Sequence, residues 1–108
     1  RAYIVGGSVI GCYTTNGYGI VNCAGLARES KAVAFYPNES EITMLLDAAH
    51  AVGSSGFCRI DAVRRPKGLA IFEVNPLARI DAEAFGIDVA GKILRYAQKI
   101  GMEAKINE

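Results

Sequence analysis

The sequence of 108 residues has few of the residues that form disulfide bonds or bind structural metal ions. It has three cysteines, Cys12, Cys23 and Cys58, and a single histidine, His50. An odd number of cysteines without CxxC spacing argues against a disulfide framework, and the scattered positions argue against a structural zinc site. We therefore expect reduced, buried thiols in a cytoplasmic protein.

The net charge is small, and long apolar runs are absent from the sequence. Twelve Lys and Arg against eleven Asp and Glu leave a formal charge of +1. This balance gives no electrostatic case for nucleic acid or for an anionic membrane. The unbroken apolar stretches are far shorter than the ~20 residues that a membrane span needs. We expect neither nucleic acid nor membrane as a partner.

The composition that is present predicts one folded domain over residues 1–108. Hydrophobic residues make up 51% of the chain. At this length about two thirds of the unfolded chain's surface can be buried, which is enough for a core. Arg1 leads directly into an apolar run, Ala2–Val5. We interpret the chain as a piece cut from a longer protein.

Apolar periodicity and turn residues predict five strands and two helices. Glycines at 6 and 7 predict a hairpin of residues 2–5 and 8–13. A glycine-rich stretch over residues 14–25 predicts a flexible loop, and residues 31–36 predict a short strand. A helix is predicted after Asn38 or Ser40 as its N-cap, ending at Gly53. Strands 57–63 and 69–75 flank a polar turn, and a last helix runs from about 87 to 100, with Asp88 in its first turn and Gly101 at its end.

This order favours an α+β architecture rather than a doubly wound parallel sheet. Strands paired through short turns give a largely antiparallel sheet, and we expect the helices to gather on one of its faces. In the last helix, apolar residues at helical spacing predict a buried stripe. They are Val89, Ile93, Tyr96, Ala97 and Ile100.

The hairpin of residues 57–75 carries the strongest chemical signal. Glu73 and Asn75 are two residues apart and share one face of their strand, and antiparallel pairing sets Asp61 nearly opposite Phe72 or Glu73. Two carboxylates and one amide are oxygen ligands that suit magnesium. The spacing therefore predicts a magnesium site, while the polar face of an ordinary half-exposed hairpin remains the alternative.

From Arg1 onward the chain resembles the C-terminal half of an ATP-grasp domain, most closely that of the ribosomal-protein glutamate ligases. The resemblance covers nearly the whole chain and depends on the order of several short motifs. These are Arg1 before the hairpin Ala2–Gly11, Asn22 in a loop, Pro37-Asn38-Glu39, Arg59-Ile60-Asp61, Glu73-Val74-Asn75 and Gly86-Ile87-Asp88-Val89-Ala90.

The resemblance implies part of an ATP-dependent carboxylate–amine ligase that acts through an acylphosphate. Asp61, Glu73 and Asn75 would hold magnesium ions that bridge the phosphates of ATP, Asn22 would join them in binding the nucleotide, and Arg1 would be catalytic. The partners implied are a carboxylate and an amine, small molecules or peptides, and the remainder of the parent ligase. A homo-oligomer is left open.

Two other functions stay open beside the ligase. The resembling family has basic residues where this chain has Thr14, Thr15 and Ile20. Their loss suggests a non-catalytic ATP-grasp-like module kept for binding or subunit contact. The second alternative is a stand-alone small α+β ligand-binding domain.

Overall fold

The computed structural model describes residues 1–15, 32–79 and 86–106 of the chain. These ranges contain five strands and two helices: β1 (Ala2–Val5), β2 (Ser8–Thr15), β3 (Ala32–Phe35), α1 (Glu39–Ala51), β4 (Phe57–Arg65), β5 (Gly68–Asn75) and α2 (Val89–Ile106). The strands form one antiparallel sheet in the order β3-β2-β1-β4-β5. The predicted α+β class is confirmed.

Both predicted hairpins are present and each turns through two residues. Gly6 and Gly7 have φ angles of 58° and 78°, the left-handed conformation that such a turn requires at both central positions. The second hairpin turns at Pro66-Lys67, because Arg65 pairs with Gly68. Of the predicted loop at 14–25, Thr14 and Thr15 belong to β2, and residues 16–25 lie outside the described ranges.

Helix α1 begins where the sequence places a cap. Oδ1 of Asn38 accepts a hydrogen bond of 2.8 Å from the backbone N–H of Glu41, and the Glu41 carboxylate accepts one of 2.9 Å from the N–H of Asn38. This reciprocal pair is a capping box, which satisfies backbone donors that the first helical turn leaves open. Asn38, rather than Ser40, is therefore the N-cap.

Helix α2 differs from its prediction at both ends. Asp88 precedes the helix as its cap, and its Oδ1 accepts a hydrogen bond of 3.0 Å from the N–H of Gly91. At the other end the helix continues past Gly101 to Ile106. A glycine stops a helix by adopting a left-handed conformation. Gly101 is not among the glycines with positive φ, so the helix passes through it.

The helices lie on opposite faces of the sheet, and not on the single face that the sequence predicts. Ala2 and Ile4 of β1 pack with Leu45 of α1, whereas Tyr3 packs with Val89 of α2. Successive residues of a strand point to opposite faces, so these contacts fix one helix on each side. The reason is that β1 is buried at all four positions and needs a cover on both faces.

No helix within the described ranges is long and apolar enough to cross a membrane. Helix α2 has the length but mixes charged with apolar residues throughout. Its predicted buried stripe is present only in the N-terminal half: Val89 is buried, Ile93 and Tyr96 are half-buried, and Ala97 and Ile100 are exposed.

Candidate functional site

The β4–β5 hairpin brings the three predicted ligands together on one sheet face. Asp61 lies directly opposite Glu73, and Arg59 lies directly opposite Asn75. Residues opposite each other across an antiparallel pair point to the same face, and so do residues two apart in one strand. The three side chains and Arg59 therefore share the face that α2 partly covers. The shared sheet face predicted for Asp61, Glu73 and Asn75 is present, and a common magnesium site stays a prediction.

Two arginines lie against Asp61. The guanidinium of Arg59 holds both carboxylate oxygens, with Nε 3.0 Å from Oδ1 and Nη2 3.3 Å from Oδ2. Arg1 approaches the same carboxylate, with Nε 3.7 Å from Oδ1. The Arg59 side chain is only 10% exposed, so this bidentate pair is shielded from solvent on the arginine side. The site thus contains a carboxylate already balanced by positive charge.

Sequence reasoning picked out Arg1 and did not pick out Arg59. Arg1 is placed beside Asp61 by its pairing with β2, because its α-amino group donates to the Tyr13 carbonyl and its own carbonyl accepts from the Tyr13 N–H. Its Nη1 also donates a hydrogen bond of 3.1 Å to the Tyr13 hydroxyl. The signal for Arg59 is its position two residues before Asp61 in one strand, which puts both side chains on one face.

The remaining two ligands differ in how they are engaged. Oδ1 of Asn75 accepts a hydrogen bond of 3.0 Å from the N–H of Leu77. This hydrogen bond closes a turn at the start of the segment after β5. Glu73 is exposed, and its side chain makes no hydrogen bond or ion pair within the described ranges. Glu73 is therefore the most available donor of the three.

A pair of stacked tyrosines lies on the same sheet face, beside the charged residues. Tyr3 and Tyr13 are buried, with ring centroids 6.4 Å apart and planes inclined by 25°. Val89 at the start of α2 covers them from above. The Tyr3 hydroxyl donates a hydrogen bond of 3.1 Å to the carbonyl of Arg79, which ties the segment after β5 to this face. The tyrosine pair is buried and apolar except for its hydroxyl groups.

The described thiols and the histidine are not placed for catalysis. Cys12 and Cys58 are free and buried in the core cluster on the α1 face, opposite Asp61. Burial raises the pKa of Cys12 to about 11 and also raises the pKa of Cys58, so both are neutral thiols at pH 7. His50 is exposed in the last turn of α1.

Some predicted positions fall outside the described residues or at their limit. Asn22, Ile20 and Cys23 lie in the range 16–31, outside the described residues. Thr14 is exposed near the end of β2. Across the described ranges, no group of three or more His, Cys, Asp or Glu side chains is arranged to hold a metal ion. Any metal at the hairpin must therefore use the Asn75 amide or water beside the two carboxylates.

The chain was also compared with known proteins. No protein-family model and no curated protein sequence matches it. The resemblance to ATP-grasp ligases therefore stays a prediction from the sequence motifs.

Proposed function

We propose that this chain supplies the magnesium- and phosphate-binding part of an ATP-dependent carboxylate–amine ligase. The observation that carries the proposal is the pairing of Asp61 opposite Glu73, with Asn75 on the same face. Like charges opposite each other repel, and the arginines beside Asp61 leave the exposed Glu73 carboxylate without an ion pair in the described part of the chain. A cation between them removes the repulsion.

The residues present fit a magnesium ion in their chemistry. Asp61 and Glu73 offer carboxylate oxygens and Asn75 offers an amide oxygen, all of them hard donors from adjacent strands. When bound, the metal would neutralise the phosphate oxygens of ATP during phosphoryl transfer to a carboxylate. Arg1, beside Asp61, is placed to add a second positive charge to the same region.

The proposal assigns the rest of the reaction to partners of the chain. The nucleotide site is completed by the remainder of a parent ligase. The substrates are a carboxylate, activated as its acylphosphate, and an amine that attacks it, and each is a small molecule or a peptide. Two free, buried thiols suit the cytoplasm as the compartment of this ligase.

The experiment is a metal titration of the protein with Mn²⁺ as a paramagnetic probe for the magnesium site. We expect amide signals of residues 59–63 and 71–75 to broaden first, and excess Mg²⁺ to reverse the broadening. Glu73→Gln should weaken Mn²⁺ binding at least tenfold, because it removes one anionic ligand from an exposed position that tolerates an isosteric amide. Glu103→Gln, which removes an exposed carboxylate from α2, is the matched control and should leave binding unchanged.

A second candidate is a non-catalytic ATP-grasp-like module, and one contact favours it. Arg59 occupies both oxygens of Asp61, so a guanidinium already supplies the charge that a metal would bring. This module would bind no divalent cation at the hairpin. Mn²⁺ broadening that is absent, or that is equal in the wild type and in Glu73→Gln, would contradict the ligase proposal and support the module.

A further inference from the structure

Asp61 is the one acid that pairs with Arg59 within the described part of the chain. The two residues are two apart in β4, and β4 is paired on both sides, with Arg59 opposite Tyr3 of β1 and Asn75 of β5. The backbone therefore fixes both side chains next to each other on one sheet face. Any change in this ion pair has to come from rotation of the side chains.

Arg59 holds Asp61 in a bidentate geometry, which is among the strongest that a guanidinium forms with a carboxylate. Both carboxylate oxygens accept a hydrogen bond, at 3.0 Å from Nε and 3.3 Å from Nη2. The Arg59 side chain is 10% exposed and that of Asp61 is 23% exposed, so the pair is largely shielded from water. A metal ion that binds Asp61 therefore has to compete with a well-placed arginine.

Glu73, opposite Asp61, is not held in this way. Its side chain is exposed and makes no ion pair within the described ranges. The four charged groups on this face are two arginines, Arg1 and Arg59, and two carboxylates, so their formal charges cancel. A divalent cation shared by the two carboxylates would leave an excess of positive charge beside Arg59. Since like charges at such short range repel, the cation and Arg59 disfavour each other at Asp61.

We propose that Arg59 and a divalent cation are alternative counter-ions of Asp61, so that metal binding at the hairpin releases the Arg59 guanidinium. The inference rests on the proposed function, because it takes the magnesium site as given, and it adds how that site is regulated. Arg59 balances the charge of Asp61 while no metal is bound, and it weakens the binding of the metal. By linkage, the metal weakens the Arg59–Asp61 pair by the same factor.

A double-mutant cycle on Mn²⁺ affinity tests this exchange. Arg59→Met removes the guanidinium and keeps a long side chain for packing. We expect it to bind Mn²⁺ about tenfold more tightly than wild type, a common size for such a coupling. In the Asp61→Asn background the same substitution should change the affinity by less than about twofold, because no carboxylate is left for Arg59 to hold. Arg95→Met is the matched control, since it removes an arginine paired with Asp88 and should leave the affinity unchanged.

The wild-type protein gives a second readout that needs no variant. Mg²⁺ is diamagnetic, so the NMR signal of the Arg59 Nε–H can be followed through a Mg²⁺ titration. We expect its exchange with solvent to become faster as Mg²⁺ saturates the site, because the hydrogen bond to Asp61 is lost. The Nε–H of Arg64 donates to Glu41 at 2.7 Å, should keep its exchange rate, and is the internal reference.

The outcomes separate the exchange from the metal site itself. Wild type and Arg59→Met that bind Mn²⁺ equally, or an Arg59 Nε–H signal unchanged at saturating Mg²⁺, would overturn the exchange and leave the metal site standing. Tightening of the same size in the Asp61→Asn background would show a general effect of charge and would also overturn the exchange. If neither wild type nor Arg59→Met binds Mn²⁺, the metal site is refuted, and the exchange with it.

Discussion

Glu41 shows how a single residue connects three parts of the fold. Its side chain is 3% exposed and accepts hydrogen bonds of 2.7 and 2.6 Å from Nε and Nη2 of Arg64. The Arg64 guanidinium lies 4.3 Å from the centre of the Phe35 ring, so the pair joins α1, β4 and β3. The hydrogen bonds from Arg64, followed by the one from the N–H of Asn38, lower the pKa of Glu41.

This lowered pKa makes a pH-dependent contribution to stability. The folded pKa of Glu41 lies below its ordinary value of 4.5, so folding favours the carboxylate. The stabilisation is fully present above about pH 4.5 and is lost as pH falls through the folded pKa. We expect Glu41→Gln to lower the free energy of unfolding at pH 7, and the difference from wild type to shrink toward pH 3.

Urea unfolding at a series of pH values from 7 to 3 measures this difference. Glu39→Gln removes a carboxylate from the exposed first turn of the same helix and is the control. Its effect should stay within about 0.5 kcal/mol, the range of ordinary surface substitutions. A Glu41→Gln difference that is the same at pH 7 and pH 3 would contradict the assignment of the pH dependence to Glu41.

At the scale of the element, the start of α1 depends on one of two candidate caps. The capping box joins Asn38 to Glu41, whereas Ser40 is an exposed residue inside the first turn. We expect Asn38→Ala to cost about 1 kcal/mol of stability, as is typical for removal of an N-cap side chain. Ser40→Ala should change stability by less than about 0.5 kcal/mol, because it removes no cap and Ala favours helix. Denaturant unfolding compares the two, and equal losses would contradict the cap assignment.

At the scale of the whole molecule, α1 is packed along its length and α2 only in its N-terminal half. Leu45 in α1 is 2% exposed, whereas Leu94 in α2 is 64% exposed. The exposed apolar residues of α2 also include Ile100 and Met102. Core burial is therefore concentrated between α1 and the sheet, with a smaller cluster of Tyr3, Tyr13 and Val89 on the opposite face.

Two leucine truncations test this distribution. Leu45→Ala should lower the free energy of unfolding by about 2–5 kcal/mol. The reason is that it removes buried methyl groups and enlarges the cavity that Leu45 itself lines. Leu94→Ala should cost less than about 0.5 kcal/mol, since its side chain lies in solvent already. Chemical denaturation measures both under one set of conditions. A Leu94→Ala cost in the range of Leu45→Ala would show that α2 is packed in solution.

Much of the candidate site could be predicted from the sequence because its geometry is local. Asp61 and Glu73 belong to one hairpin with a two-residue turn. The register of the turn alone would set Asp61 opposite Phe72, and the β-bulge between Asp61 and Ala62 shifts the pairing so that Asp61 lies opposite Glu73. The engagement of Asp61 by Arg59 and Arg1 was harder to foresee, because it depends on side-chain conformations and on β1 lying beside β4.

The sequence by itself determined the strands and the turns at Gly6-Gly7 and Pro66-Lys67, and it placed the start of α1 at Asn38 or Ser40, since each depends on neighbouring residues. Only the tertiary structure decided which sheet face each helix covers and how far α2 extends beyond its packed first half. Helical spacing marks an apolar stripe but does not name the surface that buries it. The apolar run Ala2–Val5 shows that both faces of β1 need cover, and the packing of Leu45 on one face and of Val89 on the other assigns α1 and α2 to them.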